Sequence, residues 1–596
     1  MYEYDFTEAP LVLKTYKGFR IIEVKGRPFI DFRDPEHNAL KDHLFNYLSN
    51  EVDTETLEDF AHRYPVGFLA DNYDEIEELR EYEEEASLNI KELLALLLAD
   101  KKKRAASYSQ RQKKGVVEMG DIETVFPIGS EVAFDTGGDM GTIGGIVRSV
   151  KLHHSFWGTY FSVNLHVVHA IKGELAQGYY EAQFAGFFGQ VPLKSLPVRH
   201  ITAEDKKPLM ERGKKFALFF KPGTYVAYKG TLIQPSWWNA RTFRADGRIV
   251  IDPISFERQE PEGWRNCINS AGVSIDREDE RAKIKKENKI IDKDMWRCIP
   301  QLYGFSLAVK QWGRFSIDGM SDIQWRDDAW DKLVHDEDEK DLIYSLVKFH
   351  GTGFTDIIEG KGGGTIFLLH GKPGWGKTAS AEAVAELLHK PLYSVSVGEL
   401  GTSTDMLEKK LRSILDVAVI WDAVLLLDEA DIFLEERDEH NIARNAMVGV
   451  FLRLLEYHNG VLFLTTNRVK KIDPAFYSRI SVALHYRSEG KHLKVWNNLL
   501  SAAGLDTSWA PEMANYDING RQIKNSIRMA QTLARSKSRK VLVSDLKRAA
   551  AATIKFETEM KSANPDALPA TPILETPKRT RKKAVTATAA GAAASK

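Results

Sequence analysis

The segment TIFLLHGKPGWGKT, at residues 365–378, constrains the fold of this chain more than any other. Its aliphatic run from Thr365 to Leu369 is typical of a strand buried in a parallel sheet. A loop of the form G-x-x-x-x-G-K-[ST] follows, from Gly371 to Thr378, and then the helix-forming sequence ASAEAVAELLHK. Strand, glycine-rich loop and helix in this order are the context of a phosphate-binding loop. The segment therefore predicts an α/β core that holds a nucleotide.

The loop residues supply the chemistry that a triphosphate needs. Glycines permit turns that side chains block, and the loop N–H groups and the helix N-terminus attract an anion. Lys377 places a positive charge at the β- and γ-phosphates, and Thr378 offers a hydroxyl to Mg²⁺. We therefore predict ATP and Mg²⁺ as cofactors. The predicted nucleotide-binding residues of the loop are Gly371, Lys372, Pro373, Gly374, Trp375, Gly376, Lys377, Thr378 and Ala379. No chemical reason for a tryptophan at Trp375 is evident from the sequence.

Two acidic residues follow a second aliphatic segment, AVLLL at residues 423–427. Ligands of open α/β sheets bind at the carboxyl ends of the strands, where Asp428 and Glu429 are expected. We predict that Asp428 holds Mg²⁺ together with Thr378 and that Glu429 polarises the attacking water. Phosphoryl transfer depends mainly on positioning and charge neutralisation, which these residues and Lys377 provide.

Two further polar residues are candidates for catalysis. Asn467 ends a third predicted strand, VLFLTT at 461–466, and is expected to orient the water between the γ-phosphate and Glu429. The alternative is that Asn467 caps the following turn. Arg479, in the segment DPAFYSRI, is expected to neutralise charge in the transition state as an arginine finger, and the alternative is a surface ion pair.

In this order the segments 371–378, 427–431, 464–468 and 473–480 resemble the AAA family of ATPases, over about residues 320–560. The resemblance implies that Arg479 reaches the nucleotide of a neighbouring subunit in a ring, commonly a hexamer. It also implies a helical lid after the core, in which Arg521 faces the γ-phosphate of its own subunit. The segments PLYSVSVGELGT and DPAFYSRISVALHY are similar to a fungal branch whose members carry an upstream domain of unknown function.

Two departures from the family pattern bear on mechanism. AAA rings that thread proteins usually carry an aromatic residue in a loop after the second strand. Here that strand is followed by GELGTSTD at residues 398–405, which contains no aromatic residue. The finger segment also offers one arginine before Ile480, where many relatives have two. The sequence therefore does not support a threaded-chain mechanism.

Composition limits the class and the compartment. The chain has 596 residues and a net charge of −2, which argues against a chain-wide nucleic-acid footprint. Its two cysteines, Cys267 and Cys298, cannot form a disulfide framework, and a reducing compartment is the simpler interpretation. The sequence shows no secretory signal and no apolar run of about 20 residues that would span a bilayer. We therefore expect a soluble intracellular protein.

The predicted fold class is multidomain: an α/β P-loop NTPase core, a parallel sheet with flanking helices, plus an α-helical lid, preceded by a β-rich domain and a helical N-terminal region. The predicted domains are 1–115 helical, 120–255 β-rich of unknown function, 256–295 a charged linker, 296–485 the AAA large subdomain, 486–560 the lid and 561–596 a disordered basic tail. In the tail, Lys578 to Lys583 permit nuclear import, so cytoplasm and nucleus both remain open.

Three functions are compatible with these residues. The first is an ATPase, a hydrolase of the β–γ phosphoanhydride, that couples hydrolysis in a homo-oligomeric ring to remodelling of an unknown protein client. The second is a scaffold whose assembly ATP gates. The third, a nucleic-acid remodeller drawing on Lys101–Arg104 and Lys578–Lys583, is disfavoured by the near-zero net charge.

Overall fold

The computed structural model describes residues 11–16, 19–24, 27–32, 63–71, 73–78, 90–137, 141–155, 158–171, 173–234, 240–270, 273–274, 292–350, 364–401, 403–437, 441–468, 472–486 and 491–563. The basic cluster Lys578–Lys583 and residues 271–272 and 275–291 of the predicted charged linker lie outside these residues. None of the helices within these ranges combines the length and the apolar character that a membrane crossing requires.

The strands within these ranges form five sheets. In chain order they are β1 Leu11–Tyr16, β2 Phe19–Val24, β3 Arg27–Asp31, β4 Arg63–Pro65, β5 Val116–Val117, β6 Glu131–Asp135, β7 Thr142–Ser155, β8 Gly158–Ile171, β9 Glu174–Ala185, β10 Val191–Pro192, β11 Val198–His200, β12 Thr224–Tyr228, β13 Thr231–Gln234, β14 Arg241–Arg244, β15 Gly247–Ile251, β16 Val273–Ser274, β17 Gln301–Ser306, β18 Gln311–Ser316, β19 Met320–Ser321, β20 Thr365–Gly371, β21 Leu392–Ser396, β22 Val424–Asp428, β23 Val461–Thr466 and β24 Val482–Tyr486.

The α-helices of the same ranges are α1 Val66–Asp71, α2 Tyr73–Glu78, α3 Ile90–Lys113, α4 Ile122–Val125, α5 Ala203–Phe219, α6 Pro253–Gln259, α7 Pro261–Ser270, α8 Glu337–Lys348, α9 Lys377–Leu387, α10 Thr404–Ile420, α11 Asp431–Leu434, α12 Ile442–Glu456, α13 His492–Ala502, α14 Ala510–Met513, α15 Gly520–Ser536 and α16 Val543–Ala563. Short 3-10 helices span Met119–Asp121, Leu193–Ser195, Asp292–Arg297, Ile317–Gly319, Asp327–Ala329, Val397–Glu399, Pro474–Phe476 and Thr507–Trp509.

The nucleotide core is a five-stranded parallel sheet in the order β21-β22-β23-β20-β24. Strand β20 lies between β23 and β24, and all six residues of β23 are buried. Both sheet faces are covered by helices, so these strands are continuous aliphatic runs and not alternating ones. The predicted P-loop NTPase core with a parallel sheet is confirmed.

A helical subdomain follows β24 and packs around Trp496 of α13, which is fully buried with Ile523 of α15 and Leu546 of α16. Helix α15 begins at a capping box: the Asn519 side chain accepts from the Gln522 backbone, and the Gln522 side chain accepts from the Asn519 backbone. This reciprocal pair satisfies two N–H groups that the first turn leaves unpaired. The start of α15 is thereby fixed in place.

Two antiparallel sheets occupy the region upstream of the nucleotide core. The six-stranded sheet has the order β11-β6-β7-β8-β9-β16, and the seven-stranded sheet the order β14-β13-β18-β17-β15-β12-β19. They share one apolar core, which includes Phe161, Leu165, Ile249 and Phe315. The glycine-separated alternating segments that predicted a β-rich region form these sheets.

The structure differs from the predicted domain boundaries at three places. Strands β17 to β19 pair with β12, β13 and β15, so residues 301–321 belong to the seven-stranded sheet and not to the AAA subdomain predicted from 296. The predicted linker begins with α6 and α7. Within 1–115, which is predicted to be helical, strands β1 to β4 form a four-stranded sheet. Long-range strand pairing, which local patterns do not reveal, accounts for the first difference. The third difference consists mainly of consecutive hairpins, in which Tyr16 pairs with Phe19 and Val24 pairs with Arg27.

An aromatic cluster joins the seven-stranded sheet to the nucleotide core. Phe305 and Trp312 of that sheet pack against Trp421, with ring centroids 5.6 and 5.9 Å apart, and Tyr393 of β21 packs on Phe305 at 5.4 Å. The Trp421 indole N–H donates to the buried carboxylate of Asp252 at 2.8 Å. Buried aromatic area with a satisfied polar edge makes this a stable junction.

We predict that acid destabilises the fold between about pH 6.5 and pH 4. Burial lowers the pKa of His169, His335 and His458 to about 4. Between that value and the ordinary histidine pKa the unfolded chain binds more protons than the folded one, so stability falls as pH falls through this window.

Unfolding midpoints measured from pH 7 to pH 4.5 test this expectation. The variant His458→Gln, which removes one titrating group, is expected to show a shallower pH dependence than wild type. An equally steep dependence in the variant would show that His458 does not contribute to the acid sensitivity.

Candidate active site

The glycine-rich loop between β20 and α9 follows a path that only glycine accepts at two points. Gly371 has φ +141°, and a Cβ there would lie 2.5 Å from the carbonyl oxygen of Tyr486. Gly374 has φ +82°, and its Cβ would lie 2.5 Å from the Asn519 side chain. Side chains at these positions would meet backbone or lid atoms, so the glycines are steric requirements.

Lys377 is the first residue of α9 and its ammonium group is buried within the loop. Its Nζ donates to the carbonyl oxygens of Gly371 at 2.7 Å and Lys372 at 2.9 Å, and to Oδ1 of Asn467 at 2.8 Å. Burial lowers the pKa of Lys377 to about 8, and the carboxylates of Asp428 and Asp431 partly oppose that shift. The cation is thus held at the edge of the sheet, where anionic ligands of such folds bind.

A hydroxyl and a carboxylate converge beside this lysine. Thr378 Oγ1 donates to the Asp428 carboxylate, and it lies 3.3 Å from Oδ1 and 3.5 Å from Oδ2. Mg²⁺ prefers oxygen ligands, keeps several waters and is usually held by one or two protein groups plus substrate phosphates. The half-buried pair Thr378 and Asp428 therefore fits a Mg²⁺ ion.

Glu429 follows Asp428 with a left-handed backbone, φ +56°. Non-glycine residues seldom adopt this conformation, which costs about 1–2 kcal/mol. Its backbone N–H donates to Oγ1 of Thr465 at 2.9 Å, which holds the turn. The left-handed backbone of Glu429 therefore ends the extended conformation of β22 directly after Asp428.

Asn467 links the lysine to the acidic turn. Besides accepting from Lys377, it donates through its backbone N–H to Asp431 Oδ1 at 3.1 Å. Thr466 Oγ1 bonds the same carboxylate oxygen. The structure therefore brings together five residues that the sequence predicts as catalytic or metal-binding: Lys377, Thr378, Asp428, Glu429 and Asn467.

Arg479 and Arg521 lie in different settings. Arg479 pairs with Glu456 of its own chain at 3.2 Å and donates to the carbonyl of Ala475 at 2.8 Å. Arg521, an exposed residue of the first turn of α15, lies near enough that its charge lowers the pKa of Lys377. Arg521 is thus within electrostatic range of Lys377, and Arg479 is bound to groups of its own chain.

The remaining predicted loop residues contribute little beyond backbone. Lys372, Pro373 and Ala379 are exposed, and Lys372 takes part through its carbonyl. Gly376 has φ +95° and precedes α9.

Contacts to the lid were missed from sequence. The Trp375 ring lies 5.0 Å from the His492 ring of α13, centroid to centroid, and Gly374 faces Asn519. Trp375 therefore has a packing role: it joins the phosphate-binding loop to the lid. Thr465 was also missed, although its place two residues before Asn467 at the end of a predicted strand is a usable signal.

Fold and geometry together define a P-loop nucleotide-binding protein. The family model described as "ATPase family associated with various cellular activities (AAA)" matches residues 367–488. A mitochondrial AAA-ATPase of Arabidopsis thaliana is 27% identical over 176 residues, 26% of this chain and 38% of that protein. Spastin of Xenopus laevis is 32% identical over 150 residues, 23% of this chain and 25% of spastin. Residues 367–488 therefore match the AAA family of ATPases.

The chain spans well under half the length of these two relatives, so the likeness concerns the ATPase domain. Among solved structures, the crystal structure of the FIGL-1 AAA domain in complex with ADP matches with a TM-score of 0.31 and 19% identity, covering 39% of this chain and 89% of that one.

We predict that Gly374→Ala weakens ATP binding about tenfold or more. Alanine in a left-handed conformation costs about 1–2 kcal/mol, and its methyl group would displace Asn519 from the loop. Binding of labelled ATP and the thermal midpoint are the measurements.

Gly449→Ala is the matched control, because Gly449 lies in α12 with open space at its Cβ position. This variant is expected to bind ATP as wild type does. Wild-type affinity in Gly374→Ala would show that the close approach to Asn519 is not needed.

Proposed function

We propose that the chain hydrolyses ATP with Mg²⁺ in a homo-oligomeric ring and uses the resulting motion to remodel a protein client. The observation that carries this proposal is the convergence of Lys377, Thr378, Asp428, Glu429 and Asn467 at one edge of the parallel sheet. Side chains whose chemistry suits phosphate binding, metal binding and water orientation lie together there.

Each residue has a distinct task in the proposed reaction. Lys377 exchanges its carbonyl partners for phosphate oxygens, which are stronger, charged acceptors. Thr378 and Asp428 hold Mg²⁺, which when bound neutralises charge on the β- and γ-phosphates. Glu429 accepts a hydrogen bond from the attacking water, and Asn467 fixes that water's position.

Arg479 is the proposed contribution of a neighbouring subunit. Its present ion pair with Glu456 is partly exposed, and pairs of this kind contribute about 0–1 kcal/mol. Releasing it therefore costs little, and the freed guanidinium gains a more strongly charged partner in the next subunit's γ-phosphate. A hexamer is the proposed ring size, by resemblance to the family.

Helix α9 offers a mechanical path from the loop to the upstream sheets. It starts at Lys377, and near its end Glu386 pairs with Arg248 of β15 at 2.6 Å. The Arg248 guanidinium also lies 4.7 Å from the ring centroid of Trp325. We propose that a shift of α9 on ATP binding moves the seven-stranded sheet, and that the upstream region carries the contact to the client.

A nucleotide-gated scaffold is the second candidate, favoured by the segment that follows β21. Glu399 accepts from Lys310 of the upstream region at 2.6 Å, and its carbonyl accepts from Lys410 at 2.9 Å. Leu400 is fully buried. A segment tied down in this way and lacking an aromatic residue is ill suited to gripping a threaded chain. Sedimentation with and without a slowly hydrolysed ATP analogue tests the scaffold, which requires the particle size to change.

Residence in the cytoplasm or nucleus is part of the proposal and rests on sequence alone, through the cysteine content and the cluster Lys578–Lys583. A nucleic-acid client remains the less favoured alternative.

We predict that Glu429→Gln lowers steady-state phosphate release at least about 100-fold while ATP affinity stays within about threefold of wild type. The amide keeps the size of the carboxylate but is a far weaker hydrogen-bond acceptor for the attacking water. Phosphate release and binding of labelled ATP, measured on the same preparation, are the readouts.

Glu257→Gln, which changes an exposed acidic residue of α6 outside the candidate site, is the suitable control. Equal turnover in Glu429→Gln and wild type would remove Glu429 from the mechanism. Loss of both binding and turnover would point to a folding defect.

A further inference from the structure

The hydroxyl of Thr465 lies where the chain leaves the sheet at the end of β22. Backbone pairing between β22 and β23 reaches Leu427 and Leu464, one residue before Asp428 and Thr465. Beyond this point the chain turns away from β23. Thr465 contacts the turn that follows β22 through both its side chain and its carbonyl.

Thr465 makes three contacts with that turn. Its Oγ1 donates to Oδ1 of Asp428 and accepts from the backbone N–H of Glu429 at 2.9 Å. Its carbonyl accepts from the backbone N–H of Ala430 at 2.9 Å. A single hydroxyl therefore ties the proposed metal ligand to the backbone of the proposed water-polarising residue.

The hydrogen bonds of the Thr465 hydroxyl are protected from solvent, and they hold Glu429 in a strained backbone conformation. Thr465 is 2% exposed, so water does not compete for its Oγ1. Glu429 has φ +56°, a conformation that a non-glycine residue leaves readily unless its surroundings fix it. The bond from its N–H to Thr465 supplies that constraint at the residue itself.

The neighbouring threonine shows that these contacts are specific. Thr466 directs its Oγ1 to Asp431, a different carboxylate, and receives the N–H of Arg468 at 3.0 Å. The two successive hydroxyls thus hold different halves of the turn 428–431. Thr465 contacts the half that contains Asp428 and Glu429, the proposed metal ligand and the proposed water-polarising residue.

We propose that Thr465 is a positioning residue for ATP hydrolysis, an inference that rests on the proposed function. Its hydroxyl orients Asp428 toward Thr378 and keeps Glu429 in the left-handed conformation that aims its carboxylate. It touches neither substrate nor metal. Its loss is therefore a loss of orientation, which lowers kcat while ground-state binding of ATP by the loop is retained.

The test compares Thr465→Val, which keeps the shape and removes the hydroxyl, with Thr465→Ser, which keeps the hydroxyl. In Thr465→Val we expect kcat to fall about 10- to 100-fold, with ATP affinity within about threefold of wild type. In Thr465→Ser we expect kcat within about threefold of wild type. Thr465→Ala, which also lacks the hydroxyl, is a second variant should the valine disturb packing.

A second arm tests whether Thr465 acts through Glu429. Added to Glu429→Gln, the valine substitution is expected to lower kcat by less than about twofold, since residues acting as a unit are non-additive. A full additional loss in that background would overturn the assignment.

The remaining outcomes are equally decisive. Wild-type kcat in both Thr465→Val and Thr465→Ala overturns the inference and leaves the proposed function intact. Parallel loss of ATP affinity and kcat in all three variants, serine included, shows a purely structural role and also overturns it. A wild-type protein that does not hydrolyse ATP overturns the proposed function itself.

Discussion

The burial of one ammonium group inside a turn of backbone governs the rest of the site. Lys377 sits within the loop because Gly371 and Gly374 let the chain close around it, and the carbonyls of Gly371 and Lys372 satisfy its protons. A buried cation is costly unless it is hydrogen-bonded and paired. Burial lowers the pKa of Lys377, and the carboxylates of Asp428 and Asp431 partly oppose that shift. The loop is thereby preset to receive an anion.

Through Asn467, Lys377 is also linked to the strands β22 and β23, which carry the other residues of the site. Asn467 bonds Lys377 and Asp431, and Thr465 bonds Asp428 and Glu429, so β23 supplies the groups that align the β22 turn with the loop after β20. From the loop, contacts run in two directions. Trp375 and Gly374 meet the lid, and α9 meets the seven-stranded sheet through Glu386. Nucleotide chemistry at one edge is thus joined physically to two other parts of the fold.

Patterns of neighbouring residues predicted the elements that form within a short stretch of the chain. The strand, loop and helix of 365–387 and the aliphatic strands before Asp428 and Asn467 follow from runs of residues, and the parallel sheet follows from them. Pairing between distant segments was not accessible: residues 301–321 complete a sheet begun near residue 224, although a charged segment separates them. Contacts between Trp375 and His492, or Gly374 and Asn519, depend on how the lid docks, which no periodicity encodes.

Equilibrium binding of ATP with Mg²⁺ to wild type and to Lys377→Ala tests whether the loop 371–378 is the triphosphate site. We expect saturable binding near one ATP per chain for wild type and an affinity at least about tenfold weaker for the variant, because a charge-assisted contact to phosphate is lost. Equal affinity in the two proteins, or no binding by wild type at high protein concentration, would contradict the assignment of the loop as the triphosphate site.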